Sequence, residues 1–277
     1  MFINIRLLIA RLARCFFAKW LEKRSLATAP WAERLIMYGA ILLAFCGSLS
    51  AQPSFLKQQL KYPKVAVSYK EKWPAISKNL KAKGVDSANY KVLVRIFKEE
   101  KLLEVWLKSK NAEKYVHYGN YDICRGSGNL GPKRTEGDYQ VPEGFYTVNF
   151  FNAFSDYYLG MQLDYPNQSD KILGRRPYGG QIMIHGNCVT IGCIPITDDK
   201  IKELYLLCLF SKGAGNAVSV DGYPFRLTDA NMESAKKNYD KKLVDFWGNL
   251  KAVHDYFEKN HRAPTVGVEK NGLYKIM

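Results

Sequence analysis

Gln181-Ile182-Met183-Ile184-His185-Gly186-Asn187-Cys188-Val189-Thr190-Ile191-Gly192-Cys193 is the stretch from which the rest of the chain can be read. It opens with a short apolar run that fits a buried strand and ends on the imidazole of His185. Active-site groups often sit at such strand ends, on loops that a rigid sheet holds in place. Gly186 follows the His directly, and Gly192 directly precedes the thiol of Cys193. A thiol is a strong nucleophile only as thiolate, and a nearby imidazole can take its proton. Cys193 is therefore the candidate nucleophile and His185 the candidate proton acceptor and donor. Gly192 permits close approach of the backbone to a substrate, so its amide and that of Cys193 are placed to face a developing oxyanion. Gly186 serves backbone conformation. Thr190 either orients the site or hydrogen-bonds its own loop. The third partner of the pair is either a backbone carbonyl or a polar side chain near His185.

Outward from this stretch, strand signals dominate residues 90–185. Tyr90 to Lys98 is β-rich, and Lys101 to Lys108 alternates in part after a Glu99-Glu100 break, so the two read as a hairpin. Tyr115 to Cys124 makes a third strand. Arg125 to Pro132 is a glycine-rich loop without the phosphate-loop pattern. A turn at Pro142-Glu143-Gly144 leads into a strand through Val148, and another covers Tyr157 to Leu163. Beyond the motif, Thr197 or Asp198 caps a helix over Asp198–Phe210 with acids at its start. The tail reads as one helix from Met232 to His261, with Leu243, Phe246, Trp247, Leu250, Val253, His254 and Phe257 on one face, then a strand over Thr265–Val268. His117, His254 and His261 carry no partner pattern and read as structural.

The start of the chain differs. Seven of the 41 basic residues and two of the 26 acidic ones lie in residues 1–51, around the apolar run Leu35–Cys46. A basic segment, a short apolar run and the small residues Gly47 to Ala51 describe an export signal, or else an uncleaved membrane anchor. Residues 52–89 read as a Lys-rich N-terminal extension with a short helix around Ile76 and Leu80. Helix is disfavoured at Tyr62-Pro63 and Trp73-Pro74. The remainder of the chain keeps a charge of +10 that is scattered, without the aromatic interleaving of a nucleic-acid platform. Such a surface suits an anionic polymer such as a cell wall. Export matters for Cys124, Cys188, Cys193 and Cys208, which are too few for a disulfide scaffold. Cys124 and Cys208 read as ordinary buried residues in preference to a bridge. Cys188 reads as a packed neighbour in preference to a redox partner of Cys193.

Gly131-Pro132-Lys133, Glu136-Gly137-Asp138-Tyr139-Gln140-Val141-Pro142-Glu143-Gly144-Phe145-Tyr146, Ile184-His185-Gly186 and Thr190-Ile191-Gly192-Cys193 occur in that order. The series resembles the L,D-transpeptidase catalytic domain of the YkuD type, and the short His-to-Cys spacing with the tail resembles its YafK-like branch. The resemblance implies a mainly β fold with flanking helices (α+β), a β-sandwich or barrel catalytic domain with a C-terminal helical extension. Its limits would be 90–228 for the catalytic domain and 229–277 for a packed helix and strand. It implies an enzyme exported to the periplasm or cell envelope, acting on peptidoglycan stem peptides in wall remodelling and cell shape. It implies no cofactor, no metal, no nucleic acid, and membrane contact only through the N-terminal segment. Cys193 would form a thioester, resolved by an amine (transpeptidation) or by water. The second outcome describes an L,D-specific amidase that releases wall-attached protein, and a non-catalytic wall-binding module is a further alternative. Two departures stand out: many members have a longer insertion between the His-Gly pair and the Cys, and many carry Arg where this chain has Pro195. A papain-like hydrolase would place its His far after the Cys. A zinc site from His185, Cys188 and Cys193 lacks both paired cysteines and a fourth ligand.

Overall fold

The computed structural model describes residues 54–277, and the signal or anchor expected within residues 1–51 lies outside them. Ten strands and six helices follow in chain order among the described residues: α1 (Phe55–Gln59), α2 (Pro63–Ala82), β1 (Tyr90–Phe97), β2 (Leu102–Ser109), β3 (Val116–Asp122), β4 (Gly144–Asn152), β5 (Gly160–Leu163), α3 (Gln168–Leu173), β6 (Met183–His185), β7 (Ile194–Pro195), α4 (Asp198–Gly213), β8 (Val218–Tyr223), α5 (Asp229–Asn238), α6 (Lys241–Asn260), β9 (Val266–Val268) and β10 (Tyr274–Ile276). Among the described residues, no helix is long and apolar enough to cross a membrane.

The first eight strands form one sheet in the order β3-β2-β1-β8-β4-β5-β6-β7. The expected hairpin is present, with Tyr90 opposite Ser109 and Phe97 opposite Leu102. Strand β8 was not foreseen. It inserts at the centre of the sheet, parallel to β1 and antiparallel to β4. β1 is covered on both faces except at Lys91, which is why, apart from the buried Arg95, it reads as a nearly unbroken apolar run and not as a clean alternation. Val92, Val94 and Ile96 face the core built around α4, while Phe97 faces the core under α6. The sheet curls until its two edges meet. The amide of Cys124, just past β3, donates to the carbonyl of Pro195 in β7 (3.1 Å). The architecture is thus a curled sheet flanked by helices, as the resemblance implied.

Helix α4 is capped by the Thr197 side chain and buried on most sides, through Ile201, Leu204, Tyr205, Leu206, Leu207, Cys208 and Leu209. Helix α2 packs against it. The expected short helix is in fact a helix of 20 residues that begins at Pro63 and runs through Pro74. Pro63 fits because the first turn has no use for its missing N–H. Pro74 costs about 3 kcal/mol in a helix interior. Burying Val65, Ile76 and Leu80, all fully covered, offsets this at about 1.5–3 kcal/mol for each side chain. The single expected tail helix is two. Tyr239 is extended and Asp240 caps a new start, its carboxylate accepting from the Leu243 amide (3.0 Å). The apolar face of α6 is as expected, and β9 pairs with β10 as a separate two-stranded sheet.

One buried carboxylate ties these parts together. Glu143, fully covered, accepts from Lys98 Nζ (2.9 Å), the Gly131 amide (2.7 Å) and Trp247 Nε1 (2.8 Å). Removing one partner of a buried ion pair is strongly destabilising because the other charge is stranded. Glu143→Ala is therefore expected to lose about 3–5 kcal/mol in a urea melt. A loss below about 1 kcal/mol, the range of exposed pairs, would refute this role.

Candidate functional site

Strand β6 delivers His185 at its end, and β7 runs parallel beside it with Ile184 opposite Ile194 and His185 opposite Pro195. One step back in this register, Cys193 falls beside Met183. Side chains two apart share a face of a strand, so a register continued one step beyond β7 carries His185 and Cys193 to the same side.

The imidazole is enclosed. His185 is only 1% exposed, and the Tyr157 ring stacks on it with centroids 4.6 Å apart. Its Nδ1 hydrogen-bonds the Gly186 carbonyl, so the partner left open by the sequence is a backbone oxygen. That bond assigns the proton to Nδ1 and leaves Nε2 as the free acceptor. Burial lowers the pKa of the ring, opposed by the bond to Gly186, so the ring is neutral at pH 7. Tyr157 carried no sequence motif and was missed. Because it supplies much of the cover, Tyr157→Ala is expected to move the His185 titration, followed by ring-proton NMR, upward toward the ordinary value near 6.5. An unmoved midpoint would show that other groups desolvate the ring.

The thiol is half-buried. Cys193 Sγ donates to the Gln181 carbonyl at 3.7 Å. Burial pushes its pKa above 9.0, and the Met183 amide and the charge of Lys133 pull the other way. In both groups burial disfavours the charged form, which works against a preformed thiolate–imidazolium pair.

The loop between them is built from local bonds. Gly186 has no room for a side chain: a Cβ would lie 2.6 Å from Asp198 Oδ1 and 2.9 Å from the Tyr157 carbonyl. Asn187 adopts a left-handed conformation, and its amide donates to Asp198 Oδ1 (2.8 Å). Asp198, the first residue of α4, thus anchors the turn after the His. Thr190 Oγ1 donates to the Cys193 carbonyl (2.7 Å) and accepts from the Gly192 amide (3.1 Å), so it staples the turn that presents the thiol. Gly192 holds φ at 141°, a conformation that favours glycine.

Two cysteine expectations are corrected. Cys124 and Cys188 form a disulfide, and both are exposed. Cys124 is therefore not an ordinary buried residue, and Cys188 is neither a merely packed neighbour nor bonded to Cys193. The pairing joins positions 64 residues apart, which no local pattern announces. Cys208 is free and buried, as expected. With Cys188 oxidised, the zinc trio considered for this loop does not exist.

Cys193 opens onto a cavity of about 580 Å³ whose walls include Lys98, Arg125, Val141, Ile194 and Tyr239. The glycine-rich loop after Cys124, which lacks the phosphate-loop pattern, forms one side of it.

The YkuD family, described as L,D-transpeptidase catalytic domain, matches residues 90–224. The chain is 41% identical over 188 residues to "Putative L,D-transpeptidase YafK" of Escherichia coli K12, covering 67% of this chain and 73% of that protein. The E. coli O157:H7 protein of the same description matches equally. Among solved structures, the helical cell shape determining protein Pgp2 of Campylobacter jejuni is similar at 18% identity and a TM-score of 0.41, over 70% of this chain and 80% of that one. Bd1075 of Bdellovibrio bacteriovorus is similar at 18% identity and a TM-score of 0.38, over 67% and 79%.

Proposed function

The chain belongs to the YkuD-type L,D-transpeptidase family, and from that premise we propose that it is a cysteine-dependent acyl-transfer enzyme acting on peptidoglycan stem peptides. The observation that carries the reading is the Nδ1 bond of His185 to Gly186, which leaves Nε2 free as an acceptor at the end of β6, beside the strand that Cys193 directly precedes.

Cys193 Sγ attacks the carbonyl of the third, diamino-acid residue at its L-centre while His185 Nε2 takes the thiol proton. The carbonyl oxygen becomes an oxyanion. The Cys193 amide is its donor, since the Gly192 amide is engaged by Thr190 Oγ1. On collapse, His185 returns the proton to the departing amine and a thioester remains. An amine or a water then attacks the thioester, with His185 again as base, and restores the thiol. The same intermediate serves cross-linking and hydrolytic release. The exposed Cys124–Cys188 bridge supports a site of action in an oxidising compartment such as the periplasm.

The test is incubation of the purified protein with defined muropeptides, followed by mass spectrometry. A thioester adduct on Cys193, with new cross-links or with released fragments, supports the reading and tells the two outcomes apart. Neither adduct nor product with any stem peptide overturns it.

A further inference from the structure

Two stretches singled out in the sequence take no part in the acyl-transfer steps: Gly131-Pro132-Lys133 and Glu136-Gly137-Asp138-Tyr139-Gln140. They fold into one turn around a buried ion pair. Lys133 is only 4% exposed, and its ammonium donates to Asp138 Oδ1 (2.6 Å) and to the Thr135 carbonyl (2.9 Å). The Asp138 carboxylate also accepts from the amides of Arg134 (2.8 Å), Thr135 (3.0 Å) and Gln140 (3.1 Å). Burial opposes its charge, but the Lys133 ammonium and the three amides outweigh it and hold the carboxyl below its ordinary range.

This turn touches the chain around the thiol on two sides. On one side it is strapped to residues 174–179, which lead into β6. The Arg175 amide donates to the Arg134 carbonyl (2.8 Å), and the Glu136 amide to the Pro177 carbonyl (2.8 Å). Thr135 Oγ1 donates to the same Pro177 carbonyl (3.2 Å). Gly179 lies so close to Lys133 that a Cβ there would be 3.2 Å from Cε and 3.4 Å from Nζ. Two residues further on, the Gln181 carbonyl accepts from Cys193 Sγ (3.7 Å). On the other side Asp138 holds Gln140, whose carbonyl would stand 3.3 Å from a Cβ at Gly192, the neighbour of Cys193.

Lys133 also differs from the charges on the open side of the sulfur. Lys98, Glu99, Lys101, Arg125 and Tyr239 line the cavity onto which Cys193 opens. Lys98 is neutralised by Glu143, and the other four are exposed, where water and salt screen them. A buried charge is screened much less. Burial opposes the thiolate at Cys193, and the Met183 amide and the Lys133 charge favour it. The remaining titratable group at the thiol, His185, is the base itself.

Resting on the proposed function, we infer that Lys133 is a positioning residue of the reaction. Clamped by Asp138, it holds the Gly179–Gln181 backbone against which the thiol lies, and its buried charge stabilises the thiolate as the proton passes to His185 Nε2. The proton moves from Sγ to Nε2, and the electron pair left on sulfur is used when the S–C bond forms. Lys133 needs no contact with the substrate, since it acts through the backbone and through its field. Asp138 fixes the place of that charge and moderates it.

The test reads the sulfur without turnover. The rate of Cys193 alkylation by iodoacetamide is followed against pH by peptide mass spectrometry. It is compared in the wild-type protein, in Lys133→Gln, in Asp138→Asn and in the variant carrying both, each shown folded by its melting curve. The double variant exchanges the ion pair for two neutral amides that still hydrogen-bond, and it is decisive where a single variant fails to fold. Its alkylation midpoint is expected to rise by about 0.5 on the pH scale or more. Lys133→Gln leaves Asp138 uncompensated and should raise the midpoint further. Asp138→Asn leaves Lys133 uncompensated and should lower it below wild type. A role confined to shape would move the variants in one direction, because each disturbs the same turn. An unmoved midpoint in the double variant, or a rise in Asp138→Asn, overturns the inference. Wild-type protein is assayed with stem peptides in parallel. Failure to turn over any stem would count against the acyl-transfer reading alone, because alkylation is read without it.

Discussion

Cys193→Ser and His185→Gln are each expected to reduce turnover of a stem peptide by on the order of 10³-fold or more, with the fold intact. The size follows from what each group supplies. Without the sulfur there is no covalent intermediate. Without the ring, a thiol whose pKa burial holds above 9.0 has no acceptor for its proton at neutral pH. The burial of both groups also fixes the shape of the pH profile. His185 must be unprotonated to act as base, and its pKa lies below the ordinary imidazole value because burial opposes the charged ring. The rate constant kcat/KM should therefore hold level on the neutral side and fall only as pH drops through that lowered value, below about 6.5. A preformed thiolate–imidazolium pair predicts something else, a thiol already reactive in acid. Iodoacetamide separates the two cases. Among the described cysteines, Cys208 is buried and Cys124 and Cys188 are bridged, so Cys193 is the expected site of labelling. Its rate should climb with pH through neutrality. Fast labelling near pH 5 would indicate the preformed pair.

The parts of the fold that were legible are those whose burial and chemistry agree. Tyr90–Phe97 is mostly apolar because both of its faces are covered, with Arg95 the one buried charge, and Gln181–His185 ends on the residue that the sheet must present. Val218–Tyr223 escaped because Asp221 and Gly222 break its apolar character. Both are required by its place at the sheet centre. Asp221 lies opposite Arg95 of β1, and Gly222 leaves room for the Pro142 carbonyl, which a Cβ would approach to 2.6 Å. The helix break at Tyr239 was masked in the same way, since the apolar spacing of α6 continues in phase through residues before its cap. At the site, His185, Cys193 and the two glycines were readable from residue type and spacing. Tyr157, Asp198 and the Cys124–Cys188 pair were not. Each acts through a contact between segments that only the curled sheet brings together, and a single sequence records no such proximity.

Opening the Cys124–Cys188 bridge should have the largest effect on stability of any change outside the core. The bond closes a loop of 64 residues, for which the chain-entropy relation gives about 4 kcal/mol. For a folded unit of this size that corresponds to a fall in Tm of roughly 10 °C. The Cys124→Ser, Cys188→Ser double variant should show this fall, and dithiothreitol should produce it in the wild-type protein while leaving the variant's melting curve unchanged. A loss below about 1 kcal/mol would mean that the sheet edges hold without the bond, through the Cys124 amide on Pro195 and the packing behind it. The position of the bridge adds a second expectation. Cys188 lies within the loop that separates His185 from Cys193, and that loop is otherwise held by Asp198 on the Asn187 amide and by Thr190 on the Cys193 carbonyl. Freed at Cys188, it retains both ends but loses its tie to the opposite edge of the sheet. Turnover should then fall at temperatures well below the new Tm, and should do so in the variant as in the reduced protein. If turnover instead tracks the folded fraction alone, the bridge serves the seam of the sheet and not the geometry of the thiol.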